Sequence, residues 1–180
     1  MIDVVADAIS TFDGAIVVDP VITAKSGDVL LQDDAIAALR DRLLPIATLL
    51  TPNLPEAAQL LDTDEAADHD RVLMQGQALR QRGAHAVLMK GGHANGDSCT
   101  DILLTTDGTH AFSAPRLATT NTHGTGCSMS AAIAAELAKG ADLRGAVETA
   151  HGWLHAAISH ADKLAVGSGH GPVHHFHEWW

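Results

Sequence analysis

Ile46-Ala47-Thr48-Leu49-Leu50-Thr51-Pro52-Asn53-Leu54-Pro55-Glu56 is an apolar run, halted by a proline-bearing turn and followed at once by a helix start. Ile46 to Leu50 reads as a buried strand, Thr51-Pro52-Asn53 stops it, and Pro55 suits the first turn of a helix. The same step recurs on either side. Upstream, Ala15-Ile16-Val17-Val18 ends at Asp19-Pro20, and Ile36, Leu39 and Leu43 then recur at helical spacing. Downstream, Val72, Leu73, Gly76 and Leu79 mark a helix before the strand Ala86-Val87-Leu88-Met89. This alternation predicts an α/β fold with a mostly parallel central sheet flanked by helices. The pattern then changes. Asp101 to Leu104 and Thr109 to Phe112 flank Asp107-Gly108, a hairpin signal. Ser128 to Ala138 is a helix apolar almost all round, so it is expected to be deeply buried, with Gly140 at its C-terminal cap. Asp142 caps a last helix, in which Leu143, Ala146, Val147, Ala150, Leu154, Ala157 and Ile158 line one face.

At 180 residues, 46% apolar and 18% charged, residues 1–180 are expected to form a single globular domain. A formal net charge of −11 disfavours nucleic acid, because phosphate backbones are held by clustered Lys and Arg. An acidic chain can still hold a nucleotide through a helix N-terminus, one well-placed Lys or a divalent cation. Cys99 and Cys127 make neither a disulfide framework nor a zinc knuckle. The first residues lack the basic and apolar regions of a secretory leader, and no window has the apolar length of a membrane span. A cytoplasmic setting is expected. The chain opens in a helical pattern and gives its first strand no earlier neighbour, so it reads as a domain missing its beginning.

Four stretches carry chemistry. In Thr120-Asn121-Thr122-His123-Gly124-Thr125-Gly126-Cys127, two glycines let the backbone approach a ligand, and the helix that follows adds unpaired N–H groups and a positive dipole end. Together they suit a phosphoryl group in flight, although an ordinary glycine turn before a core helix has the same letters. Cys127 adds a thiol at a helix start, a place where thiols become proton acceptors or nucleophiles; equally, it could be a small buried hydrophobe. Lys90, in Met89-Lys90-Gly91-Gly92-His93, follows a strand, where ligands of open α/β sheets bind. A strand-end Lys can also be a plain surface charge. Asn53 and Glu56 could organise a hydrated Mg²⁺, or simply begin a helix with an acid in its first turn. Asp19-Pro20-Val21 with Ala24-Lys25-Ser26-Gly27-Asp28 is either a substrate contact or a loop. All four are expected to converge on one edge of the sheet.

In this order, these stretches resemble the hydroxymethylpyrimidine/phosphomethylpyrimidine kinases of thiamine biosynthesis, within the ribokinase-like superfamily. The ending Gly169-His170-Gly171-Pro172-Val173-His174-His175-Phe176 is similar to that family's tail. The resemblance implies two ATP-dependent phosphorylations, of 4-amino-5-hydroxymethyl-2-methylpyrimidine and then of its monophosphate. It implies Cys127 as general base, where most sugar and nucleoside kinases of the superfamily carry Asp. The N–H groups from Gly124 through Thr125 and Gly126 to Cys127 would stabilise the phosphoryl group. Lys90, with Gly91 and Gly92, would hold ATP; Asn53 and Glu56 would organise Mg²⁺; Asp19 and Val21 would border the pyrimidine. A homodimer is the expected assembly. The family's first strands, an early glycine-rich segment and a pyrimidine-reading Gln have no counterpart here.

Two other readings share these residues. A vitamin B6 kinase would keep the strand-end loops, and a truncated nucleotide-binding or dimerisation module would present an open sheet edge. A metal-hydrolase reading from the 12 histidines, with His174, His175 and His177, is set aside: adjacent histidines often point apart, and no carboxylate sits at helical ligand spacing. The tail, with Trp179 and Trp180, is expected to pack on the domain instead.

Overall fold

A computed structural model describes residues 1–23, 30–91 and 96–180. Helix α1 (Ile2–Ile9) leads to strand β1 (Val17–Val18). Helix α2 (Asp33–Ala38) continues through a π-helical turn (Leu39–Leu43) and a 3-10 turn (Leu44–Ile46) to β2 (Leu49–Leu50). Then come α3 (Leu54–Leu61), α4 (His69–Gln81), β3 (Val87–Met89), and β4 (Ser98–Leu104) with β5 (Thr109–Pro115). The chain closes with α5 (Thr125–Ala138), α6 (Leu143–Ser159) and a 3-10 turn (Ala161–Lys163). No described helix is long and apolar enough to cross a membrane.

The strands form one mixed, mostly parallel sheet in the order β1-β2-β3-β4-β5. β1 and β2 pair in parallel with Val17 opposite Leu49, β2 and β3 in parallel with Leu50 opposite Val87, and β3 and β4 antiparallel with Leu88 opposite Leu103. Among the described residues β1 has a partner on one side only, as its position in the sequence implied. Contacts divide the chain into two compact units, Met1–Asn95 with Thr100–Ala111, and Gly96–Cys99 with Phe112–Trp180.

In the first unit, β2 and β3 are buried along their whole length, which is why they read as continuous apolar runs and not as alternating ones. Leu44, Leu50, Leu60, Leu79, Val87 and Met89 belong to one core cluster; each fully buried side chain of this size contributes about 1.5–3 kcal/mol. All three parallel strands are shorter than the apolar runs predict, β3 by one residue only. Pro45 sits in the first turn of the Leu44–Ile46 3-10 turn, so Ile46 is spent there. Ile16 flanks the ladder: its carbonyl accepts from the Thr48 and Leu49 N–H groups, and its own N–H donates to the Thr48 hydroxyl. The hairpin, in contrast, extends further than predicted at both open ends.

In the second unit α5 and α6 pack on each other. Ala146, Val147, Ala150, Leu154 and Ala157 form the buried stripe of α6, as its periodicity predicts. The expectation for α5 needs correction: only Met129, Ser130 and Ile133 are buried, and Ala131 and Ala135 are exposed. An apolar sequence permits burial on every side, but only a neighbouring element can supply it. α5 ends in a Schellman motif, in which Gly140 N–H donates to Leu137 O and Ala141 N–H to Glu136 O. The tail also differs in part from expectation. Val173 and His174 are buried, whereas Trp179 and Trp180 are each 80% exposed, and Trp180 stacks on Phe176 of the tail itself.

Asp142 Oδ1 accepts from the Gly145 N–H at 2.7 Å and caps α6. Asp142→Ala is expected to lower the unfolding free energy by about 1 kcal/mol in urea denaturation, and Asp142→Ser to restore most of it. Equal stability of the alanine variant would show that the cap contributes nothing.

Candidate active site

The first unit brings Asp19, Thr51 and Lys90 together at the carboxyl ends of β1, β2 and β3. Parallel pairing puts these three ends on the same edge, and the backbone extends the pairing past them. Lys90 N–H donates to Pro52 O at 2.8 Å, and Asn53 bridges Lys90 in parallel. Asn53 and Glu56 form a reciprocal capping box at the start of α3. Asn53 Oδ1 accepts from Glu56 N–H at 2.8 Å, and Glu56 Oε2 accepts from Asn53 N–H at 2.7 Å. The helix-start reading of these two residues is therefore correct, but it is not the whole of their situation.

Lys90 Nζ lies 2.7 Å from Asp19 Oδ1 and 3.9 Å from Glu56 Oε2. The Lys90, Asp19 and Glu56 side chains are only 14%, 13% and 6% exposed, so this is a buried charge cluster and not a solvated surface lysine. Thr51 Oγ1 also donates to Asp19 Oδ1, at 3.1 Å. Asp19 Oδ2 is buried with no hydrogen-bond partner among the described residues. Burial pushes the Glu56 carboxyl above its ordinary range; Lys90 and the Asn53 N–H pull it back, and Asp19 adds a smaller upward push. Val21 is half-buried and turns back on Asp19, its N–H donating to Asp19 O at 2.9 Å.

Gly91 N–H donates to Asp101 Oδ1 at 2.8 Å. A Cβ on Gly91 would stand 1.9 Å from Thr100 O, so only glycine fits beside this strand. Asp101 was not singled out from the sequence; it lies ten positions on, within a hairpin strand, and nothing local marks it. Gly92, His93 and Ala24 to Asp28 lie outside the described residues.

The second unit, taken by itself, contains the glycine-rich turn. Gly124 has φ +83°, a left-handed conformation that favours glycine, and it is the N-cap of α5. The helix therefore begins at Thr125, three residues earlier than predicted, and Cys127 is the third residue of its first turn. α3, α4 and α6 each have a side-chain cap, from Asn53, Asp68 and Asp142; α5 has none, as is also the case for α1 and α2, but only at α5 is the N-cap a left-handed glycine. The Thr125 and Gly126 N–H groups have no acceptor within the helix, so a bound anion would complete them. Cys127 is exposed, which removes the buried-hydrophobe reading, and neither cysteine is in a disulfide. Its neighbours Ser128, Ala131, Ala132, Trp153 and His175 line an open hollow of about 450 Å³.

The loop before the turn is stitched to the tail. His123 N–H donates to Gly171 O, Val173 N–H to His123 O, and Gly171 N–H to Asn121 Oδ1. Asn121 Nδ2 and Thr119 Oγ1 both donate to Asp162. This support was not read from the sequence, because the partners are about 40 to 50 residues apart. Among the described residues no three His, Cys, Asp or Glu side chains form a metal-binding group.

The phosphomethylpyrimidine kinase family model matches residues 1–174. Hydroxymethylpyrimidine/phosphomethylpyrimidine kinase of Rhizobium meliloti (strain 1021) is 52% identical over 176 residues, 98% of this chain and 66% of that protein. The ADP complex of Bacillus subtilis pyridoxal kinase superposes with a TM-score of 0.87 at 31% identity, covering 98% of this chain and 65% of that one. Phosphomethylpyrimidine kinase of Clostridium difficile 630 gives 0.75 at 31% identity, covering 87% and 63%. The chain thus spans just under two thirds of the length of each, and its fold is ribokinase-like, as expected. A match along nearly all its residues establishes that this chain belongs to the phosphomethylpyrimidine kinase family.

Proposed function

We propose that this chain carries phosphoryl-transfer machinery for ATP-dependent phosphorylation of 4-amino-5-hydroxymethyl-2-methylpyrimidine and then of its monophosphate. The observation that carries the reading is the start of α5: a left-handed Gly124, a first turn with no side-chain cap, and the exposed Cys127 thiol within that turn. Relatives named for this pyrimidine supply the substrate class. The N–H groups from Gly124 through Thr125 and Gly126 to Cys127 stabilise charge on the transferring phosphoryl, the largest protein contribution in such reactions. Cys127, as the thiolate, takes the proton of the hydroxymethyl oxygen as that oxygen bonds to the γ-phosphorus and ADP leaves. The second acceptor is a phosphate oxygen already ionised near neutral pH, so this step depends less on the thiol.

In the first unit, Lys90 neutralises nucleotide phosphates by exchanging its bond to Asp19 for one to the ligand, and Gly91 and Gly92 allow the backbone to come close. Asp19 and Val21 border the pyrimidine. Asn53 and Glu56 would organise a hydrated Mg²⁺: the capping box engages Glu56 Oε2 and fixes its rotamer, and the unpartnered Asp19 Oδ2 lies in the same charge cluster. When bound there, Mg²⁺ would neutralise phosphate charge, keeping most of its waters. The reading includes a cytoplasmic setting and a homodimer.

A vitamin B6 kinase is the second reading, favoured by the superposition on a pyridoxal kinase but at 31% identity against 52% for the pyrimidine kinase relative. Turnover of both substrates with Mg-ATP separates them: a preference for the pyrimidine is expected, and a preference for pyridoxal would reverse the assignment. ADP binding without turnover of either would instead support a nucleotide-binding module.

Cys127→Ala is expected to slow the first phosphorylation ~10²–10⁴-fold, the usual worth of a general base, and the second far less. Unchanged first-step turnover would remove Cys127 from the role. For Glu56 the sign follows from its raised pKa. The folded state favours the protonated acid, so this stabilising contribution is complete below the ordinary value of 4.5 and is lost as pH rises through the folded pKa. Glu56→Gln, which keeps the capping geometry, is therefore expected to raise Tm relative to the parent at pH 7–8, by an amount that shrinks to nothing toward pH 4, while lowering nucleotide-dependent activity. A lower Tm for the variant at neutral pH would show that its bond to Lys90 outweighs burial.

A further inference from the structure

The first turn of α5 is closed by Ser128, whose N–H donates to Gly124 O at 3.0 Å. The Ser128 hydroxyl stands 3.9 Å from where a side chain on Gly124 would begin, at the mouth of the turn. A serine here can swing its hydroxyl back onto the carbonyl four residues earlier, which loosens and bends a helix. Instead, Ser128 Oγ lies 2.8 Å from His175 Nε2.

His175 is itself well held. Its N–H donates to Val173 O, and the preceding His174 N–H donates to Ala157 O of α6. The His175 ring lies 6.1 Å from that of Trp153, which also neighbours His177 at 6.2 Å. The residues just before it are joined to the loop that enters the turn, through His123 with Gly171 and Val173, and through Asn121 with Gly171. The tail therefore holds the glycine turn from both sides: by backbone pairing before Gly124, and through one imidazole after it.

We propose that His175 is a positioning residue for the phosphoryl-binding turn. By engaging the Ser128 hydroxyl it keeps that group off the Gly124 carbonyl and fixes the direction of the first-turn N–H groups. This rests on the reading of the turn as a phosphoryl cradle. It gives a specific role to the histidine-rich tail, whose segment 171–175 forms the rear wall of the cradle. The imidazole acts through Ser128 and needs no contact with the transferring group.

Two measurements on the 180-residue chain test it. The first is ADP affinity by calorimetric titration. Ser128→Ala and His175→Ala are each expected to weaken binding about five- to tenfold, the worth of one hydrogen bond, and the double variant no more than either single one. His175→Gln places an amide near the Nε2 position, whose oxygen can accept from the Ser128 hydroxyl as Nε2 does, and is expected to restore affinity to within about twofold of the parent. The second is amide hydrogen exchange without ligand. Exchange across residues 124–128 is expected to quicken in both alanine variants and to return to the parent rate in His175→Gln. Additive losses in the double variant, or exchange in His175→Ala unchanged from the parent, would overturn the proposal. Failure of the parent to bind ADP would count against the cradle reading itself, while the exchange measurement still decides whether His175 positions the turn.

Discussion

A lysine ammonium held 2.7 Å from a carboxylate, with both side chains almost out of water, is the contact around which the first unit is arranged. Burying either charge alone costs several kcal/mol, so Asp19 and Lys90 cannot separate unless water or a ligand takes the lost partner's place. The pair spans from the end of β1 to the end of β3, with β2 between them. Thr51 at the end of β2 donates into the same Asp19 oxygen. Three strand ends are thereby fixed relative to one another by polar contacts at an edge where the apolar core can no longer do so.

The cluster is not optimised for stability. Glu56 is buried 3.9 Å from a lysine that is already committed to Asp19, and desolvation outweighs the attraction. Asp19 keeps one buried oxygen with no partner among the described residues. Unpaired buried acceptors usually cost about 1–3 kcal/mol, and natural proteins tolerate them where a ligand completes the arrangement. The second unit shows the same economy at α5, whose start a left-handed glycine leaves without a side-chain cap. Both places are locally unsatisfied.

Much of this was legible beforehand, for identifiable reasons. Strands of a parallel sheet read as short apolar runs, so β1, β2 and β3 stand out in the sequence, although Pro45 shortens β2. Asn53 three residues before Glu56 reads as a helix start, because capping is local chemistry. What was misread depended on neighbours. α5 has the composition of a buried helix but the surroundings of a half-exposed one, and the tail tryptophans are apolar yet mostly in water.

The sequence alone determined the order of strands and helices, the glycine at the left-handed entry to α5, and the likeness along nearly the whole chain that places it in its family. The first two rest on interactions spanning a few residues, which spacing and residue type encode directly. Only the tertiary structure decided that Lys90 is a buried ion-pair partner of Asp19, 71 residues away, and that Ser128 meets His175 across 47 residues. It also decided that Gly91 abuts Thr100 and that Asp101 binds its N–H. Contacts of this kind arise from how strands pair and helices pack, and a one-dimensional pattern carries no record of which distant residue will arrive beside a given one.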